Sequence, residues 1–394
     1  MTEVATALHG RDRPSGPVGR LVAPAVFVAS IALCLAAAAL VLALLPSPQG
    51  EHHTISESLA IIGKSVWERV LLPRSPRVRA GYRNWIQTLQ TATPILLTGL
   101  AITAAFRANV LNIGTQGQYV LGAIAGAAAG IYLPAGRGML IPLLLLAAMA
   151  AGALLAAISA ALERWRNVPV VLSTLLLNFV ALEFLRYVLQ GPMRAAHEDG
   201  TLLDPQTREL PDAARLPDFL TQSNGQGLHV GFLIAVVAAV ALSFLLRRTT
   251  FGFRLRVVGQ NPDAARFAGI NVARVSFATL ALSGALAGLA GAIQVAGIPP
   301  YVLFPDVGTD GLGFTGIAVA LLGRLSPVGV IFSALFFGLL NTAFRALEQS
   351  PLQIHSVAAQ AVQGMLIIAV LVVSSPEWGR ILRPWRPRGG VKRG

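Results

Sequence analysis

The chain has a single cysteine, Cys34, among 394 residues. One cysteine excludes a disulfide framework and any CxxC metal or redox motif, and its place inside an apolar run suits plain packing. Charge is scarce too: 12% of residues are charged and 54% are hydrophobic, a balance too apolar for a soluble domain. Acids are fewer than bases, 18 against 31, for a formal charge of +13. No basic patch is interleaved with aromatics, so nucleic acid is not an expected partner. The positives cluster at the ends of apolar runs, as they do in polytopic membrane proteins. The six histidines are scattered, and no metal site is expected. GxxxxGK[ST], HExxH and GxSxG are all missing, which removes the usual sequence grounds for an enzyme: no catalytic residue and no cofactor is expected.

What is present is a series of apolar runs of about twenty residues, the length a helix needs to cross a hydrocarbon core of about 30 Å. A polar tail, residues 1–20, precedes an uncharged run, Leu21–Leu45, too long for a signal-peptide core and read as an anchor. Residues 55–72 form an interfacial helix. Further membrane segments fall at 86–106, 110–133, 139–162, 170–189, 228–246, 275–296, 313–322, 328–347 and 356–373. The reading is an all-α polytopic membrane protein of about ten transmembrane segments, some discontinuous, with a transmembrane domain over 21–374. Outer loops fall at about 46–85, 191–227 and 297–312, and a cytoplasmic loop at 247–274. A basic tail, 375–394, ends the chain. Both termini are placed inside, where most of the 31 Lys and Arg then lie. The basic residues between Lys64 and Arg83 run against that tendency.

Two stretches carry candidate function. The cytoplasmic loop holds Arg247, Arg248, Arg254, Arg256, Arg266 and Arg274 against one acid, Asp263. Within it Asn261 can cap a short helix, Pro262 suits the first helical position, and Asp263 complements the dipole. Gly269 can end that helix. Phe267 is left as an apolar knob beside Arg266. A solvated orientation loop needs neither the cap nor the aromatic, so the stretch is read as a docking element for a cytoplasmic partner.

The second stretch is polar within an apolar segment: Asn112, Thr115, Gln116 and Gln118, with Gly114 and Gly117. Buried amides need protein or water partners in a membrane. The group offers donors and acceptors to a neutral, hydrogen-bonding solute, or else serves as glue between helices. Glu183 and Arg186 can pair within their span. An internal echo relates Thr98–Arg107 to Thr315–Arg324, matching at Thr, Gly, Ala and Arg.

Three stretches together resemble a known family. Gly252–Ile270 follows G-x-x-L-R-x-V-G-x-N-P-x-A-A-x-x-A-G-I, and Thr93–Gln118 and Gly313–Gly329 agree in order. The chain is similar over roughly Gln90 to Val373 to ABC-importer permeases of the branched-chain amino acid, ribose and nucleoside class, nearest the nucleoside branch. It departs at Asn109 and Thr115, where that branch has small residues. The resemblance implies a membrane-spanning importer subunit for a nucleoside or related simple-sugar solute. ATPase coupling would then fall on Gly259, Asn261, Pro262, Asp263, Arg266, Phe267 and Gly269. Its implied partners are a cytoplasmic ABC ATPase, a second permease subunit as a heterodimer, an extracytoplasmic solute-binding protein and membrane lipid. The alternative is a secondary transporter of a small polar solute, which would favour ion-coupling acids deep in the spans; only Glu183 qualifies.

Overall fold

A computed structural model describes residues 79–196, 201–221 and 227–348, with residues 56, 57 and 60. The tail 1–20, the run 21–45, most of 55–72, the segment 356–373 and the basic tail lie outside the described residues.

Among the described residues the protein is helical apart from one small hairpin. In order come α1 (Arg79–Arg107), α2 (Thr115–Tyr132), α3 (Arg137–Arg166) and α4 (Val170–Gln190). A connecting segment carries β1 (Asp218–Thr221) and β2 (Gly227–His229), followed by α5 (Gly231–Arg248), α6 (Thr250–Gln260) and α7 (Pro262–Phe267). Then come α8 (Val272–Gly297), α9 (Asp306–Thr309), α10 (Leu312–Leu322) and α11 (Pro327–Glu348). Five of the described helices are long and apolar enough to cross a membrane: α4, α5 and α8 entire, α1 from Trp85 and α3 from Gly138. Sequence punctuation explains many of the ends. Asn167 takes a left-handed conformation that closes α3, Thr249 caps α6, and Asn271 caps α8.

The core gathers around α8, which packs against α1, α2 and α3, while α10 and α11 lie on α1. Small residues permit this. A Cβ on Gly288 would sit 2.1 Å from the Ala148 carbonyl oxygen of α3, so any side chain there forces the two helices apart. On the other side α2 comes equally close: a Cβ on Gly122 would sit 2.3 Å from the Cα of Gly288.

Two expectations need correction, and the structure adds a feature to a third segment. The third apolar segment is not helical from Val110; its helix begins at Thr115, because Asn109 takes positive φ and Asn112 folds its side chain onto the following backbone. The basic loop is no loop with one short helix, since Arg247 and Arg248 finish α5 and an additional helix, α6, precedes α7. The Thr249 side chain accepts from Gly252 N–H at 3.1 Å and starts that extra helix, a cap not read from the sequence. The hydrophilic segment before α5 contains an antiparallel hairpin, with Asp218 opposite His229. Its earlier part is tied to the end of α8 and the chain just after it: Leu216 N–H donates to Ala296 O at 2.8 Å and Leu210 N–H to Tyr301 O at 3.0 Å.

In this hairpin His229 is fully buried, neither ring nitrogen has a hydrogen-bond partner among the described residues, and burial lowers its pKa to about 4. The folded state therefore favours neutral imidazole. Its contribution is intact above the unfolded value of about 6.5 and is lost as pH falls from there toward 4. A difference of this size corresponds to about 3 kcal/mol. Thermal unfolding in detergent should show a lower melting temperature at pH 4.5 than at pH 7. His229→Leu should remove part of that difference, and an unchanged pH profile in the variant would refute the assignment.

Candidate functional site

The amide-rich turn at the start of α2 is a closed hydrogen-bonded cluster. Asn112 donates to the Gln118 side chain at 3.0 Å and to Ser283 Oγ of α8 at 2.9 Å. Its own oxygen accepts from Gly114 N–H at 3.0 Å and from Gln118 Nε2 at 3.1 Å. Ser283 passes the chain on to Ala101 O of α1 at 2.7 Å. From α4, Asn178 accepts Gly117 N–H at 2.8 Å and donates to Ile113 O at 3.0 Å.

Gln116 faces the other way, toward the short helix α10. Its Nε2 lies 3.2 Å from Gly308 O and 3.3 Å from both Val307 O and Asp310 Oδ1. Its Oε1 accepts the N–H of Gly313 at 2.7 Å. Asp310 completes the clamp, accepting from Tyr119 OH at 2.8 Å and from Leu312 N–H at 3.1 Å. The half-length helix α10 is thereby pinned by its first turn to α2. The echoed segments meet here as well: Thr98 Oγ1 donates to Leu312 O at 3.2 Å, and a Cβ on Gly316 would sit 2.8 Å from that hydroxyl. At the far end Arg107 donates to Leu325 O at 2.6 Å, next to Arg324.

Asn112, Thr115, Gln116 and Gln118 are thus brought together, all of them buried. The three amides are satisfied by their own chain, and the Thr115 hydroxyl has no partner among the described residues. These bonds link the start of α2 to α4, α8 and α10. Sequence reasoning did not single out Tyr119, Ser283 or Asp310. Asp310 could have been found as an acid at the edge of a half-length apolar segment, a position where a carboxylate needs donors.

The second site is the pair α6–α7. Asn261 Oδ1 accepts from Asp263 N–H and Ala264 N–H, both at 3.0 Å, and Pro262 occupies the first turn. Asp263 and Arg266 pair at 2.6 Å on the surface. Gly269 has φ of 77°, and Ile270 N–H closes back on Ala265 O at 2.9 Å. Ala265 is buried beneath the helix while Phe267 is 95% exposed. Gly259, near the end of α6, lies against the last turn of α1. A Cβ there would sit 2.1 Å from the Arg107 carbonyl oxygen, so only glycine allows the contact.

A multi-pass helical protein with a pinned half-helix, a capped surface helix and no catalytic constellation among its described residues has the form of a transport subunit. Sequence comparison gives the family: residues 84–371 match the branched-chain amino acid transport system permease component family, and the chain belongs to it. The chain is 36% identical over 294 residues to the glucose ABC transporter permease protein TsgB13 of Haloferax volcanii, covering 72% of this chain and 75% of the relative. It is 34% identical over 342 residues to the guanosine ABC transporter permease protein NupP of Bacillus subtilis, covering 82% and 93%. NupQ of the same organism, another guanosine ABC transporter permease protein, is 31% identical over 252 residues, covering 64% and 78%. The protein is a membrane permease component of an ABC transporter and not an enzyme.

Proposed function

We propose that the chain is the membrane-spanning subunit of an ATP-driven importer for a nucleoside or simple sugar. The observation that carries this reading is α7, a two-ended capped helix that exposes Phe267 and rests through α6 on the end of α1. An exposed aromatic on a rigid, buried base suits a cleft in a cytoplasmic ATPase better than it suits water. Motion of that ATPase would reach α1 through Gly259 and Arg107. The solute class rests on the glucose and guanosine relatives. Two permeases of one organism with the same guanosine designation support a second permease subunit of the same family in the assembly. An extracytoplasmic binding protein would deliver the solute on the side of the hairpin, with α7 and both termini in the cytoplasm.

Reconstitution of the chain with its partner subunits into liposomes tests the reading. Labelled guanosine or glucose should accumulate only with ATP and a hydrolysis-competent ATPase. Accumulation of either solute without ATP, driven by an imposed ion gradient, would instead establish the secondary-transporter alternative.

A further inference from the structure

Three membrane helices present outward faces, and one of them differs from the others. The exposed side of α3 is apolar through Met139, Leu146, Leu154 and Ile158, and that of α5 through Leu233, Val237, Val240 and Phe244. Both fit lipid. The exposed side of α4 carries Leu172, Leu176, Phe179 and Val180 and then Glu183 and Arg186. These two pair at 2.6 Å, with side chains 67% and 62% exposed. The second Glu183 oxygen and the other Arg186 N–H groups make no further hydrogen bond among the described residues. By helical rise Glu183 is about 20 Å from the start of α4 and about 10 Å from its end, well inside a hydrocarbon layer of about 30 Å.

An ion pair with unfilled donors and acceptors is out of place against lipid tails, where charged groups turn to protein or water. The buried side of α4 is already occupied through Ser173, Asn178, Ala181 and Leu185, and the pair cannot reach it without unwinding the helix. We propose that the outward face of α4 is the seam against a second permease subunit of this family, with Glu183 and Arg186 meeting polar groups or water there. The proposal rests on the paired-permease reading above and adds the surface to it. The presence in one organism of NupP and NupQ, two permease proteins with the same guanosine designation, names the kind of occupant. The aromatics Phe179, Phe184 and Tyr187 beside the ion pair are exposed and match the composition of protein contacts.

The test uses the full chain in native membranes with its ATPase and companion permease. A photo-reactive benzoylphenylalanine replaces Phe179, and Leu154 on α3 serves as the lipid-facing control. Irradiation should yield an adduct of Phe179 with a second permease chain, identified by mass spectrometry, and lipid adducts at Leu154. Lipid adducts at Phe179, a cross-link confined to one chain such as to residues 21–45 or 356–373, or no adduct above the control would each overturn the seam. As a second measurement, replacing Glu183 and Arg186 together by leucine should lower copurification of the companion permease at least tenfold with chain levels unchanged. Unchanged copurification overturns the proposal. ATP-driven uptake with only lipid adducts at Phe179 would defeat the seam alone. A permease cross-link with ATP-independent uptake would defeat the importer reading and leave the seam standing.

Discussion

Phe267→Ala should cut ATPase capture by the permease about thirtyfold and uncouple ATP hydrolysis from uptake. A buried aromatic anchor at an interface is worth about 2 kcal/mol or more, and that energy corresponds to the stated affinity loss. Because Phe267 is 95% exposed in the isolated chain, its removal takes nothing from the fold, so the melting temperature of the permease should stay put. Asn261→Ala removes the acceptor of two N–H groups and should act more weakly in the same direction, since a cap contributes about 1 kcal/mol. Pull-down of the ATPase and ATP-driven uptake, run side by side, decide the matter. If both variants bind and transport normally while neutralising Arg247, Arg248 and Arg254 disturbs insertion, the loop merely fixes orientation.

Gln116→Leu should release α10 from α2. The substitution strands the buried N–H of Gly313 and takes from Asp310 one of its three donors. A stranded buried donor costs about 1–3 kcal/mol, enough to lower the melting temperature of the purified permease by several degrees. Transport should fall further than stability, because the half-helix would lose its fixed position while α7, whose cap does not involve Gln116, keeps its ATPase. Asn112→Leu should resemble it in stability, breaking the link between α2 and Ser283. Normal melting and normal uptake kinetics in Gln116→Leu would show that the clamp is dispensable.

Much of the fold could be read from hydropathy, because a bilayer demands long apolar helices and imposes their lengths. The run expected at 170–189 is the helix Val170–Gln190, and the half-length segment at 313–322 is the helix Leu312–Leu322. The capped helix at Asn261 was legible for another reason: its stop and start signals are local in sequence. The partners of the amides were not legible, since Gln116 meets Gly313 across 197 positions and nothing local fixes such a pairing. The same limit applies to Gly259, whose need for glycine comes from the Arg107 carbonyl of another helix. Glu183 and Arg186 were expected to pair and do so, yet which side of α4 they occupy depends on the packing of the opposite face.

The close contacts at Gly288 bear on how the transporter can change shape. With Ala148 O on one side and Gly122 on the other, α8 lies backbone to backbone with α3 and α2 and leaves no lubricating layer of side chains. Sliding such helices past one another would require whole turns to climb over carbonyl oxygens. The three therefore travel as one solid piece, and alternating access has to come from rocking that piece against its surroundings. Spin labels on α2 and α3 should then keep a constant separation through the ATP cycle, whatever distances change elsewhere.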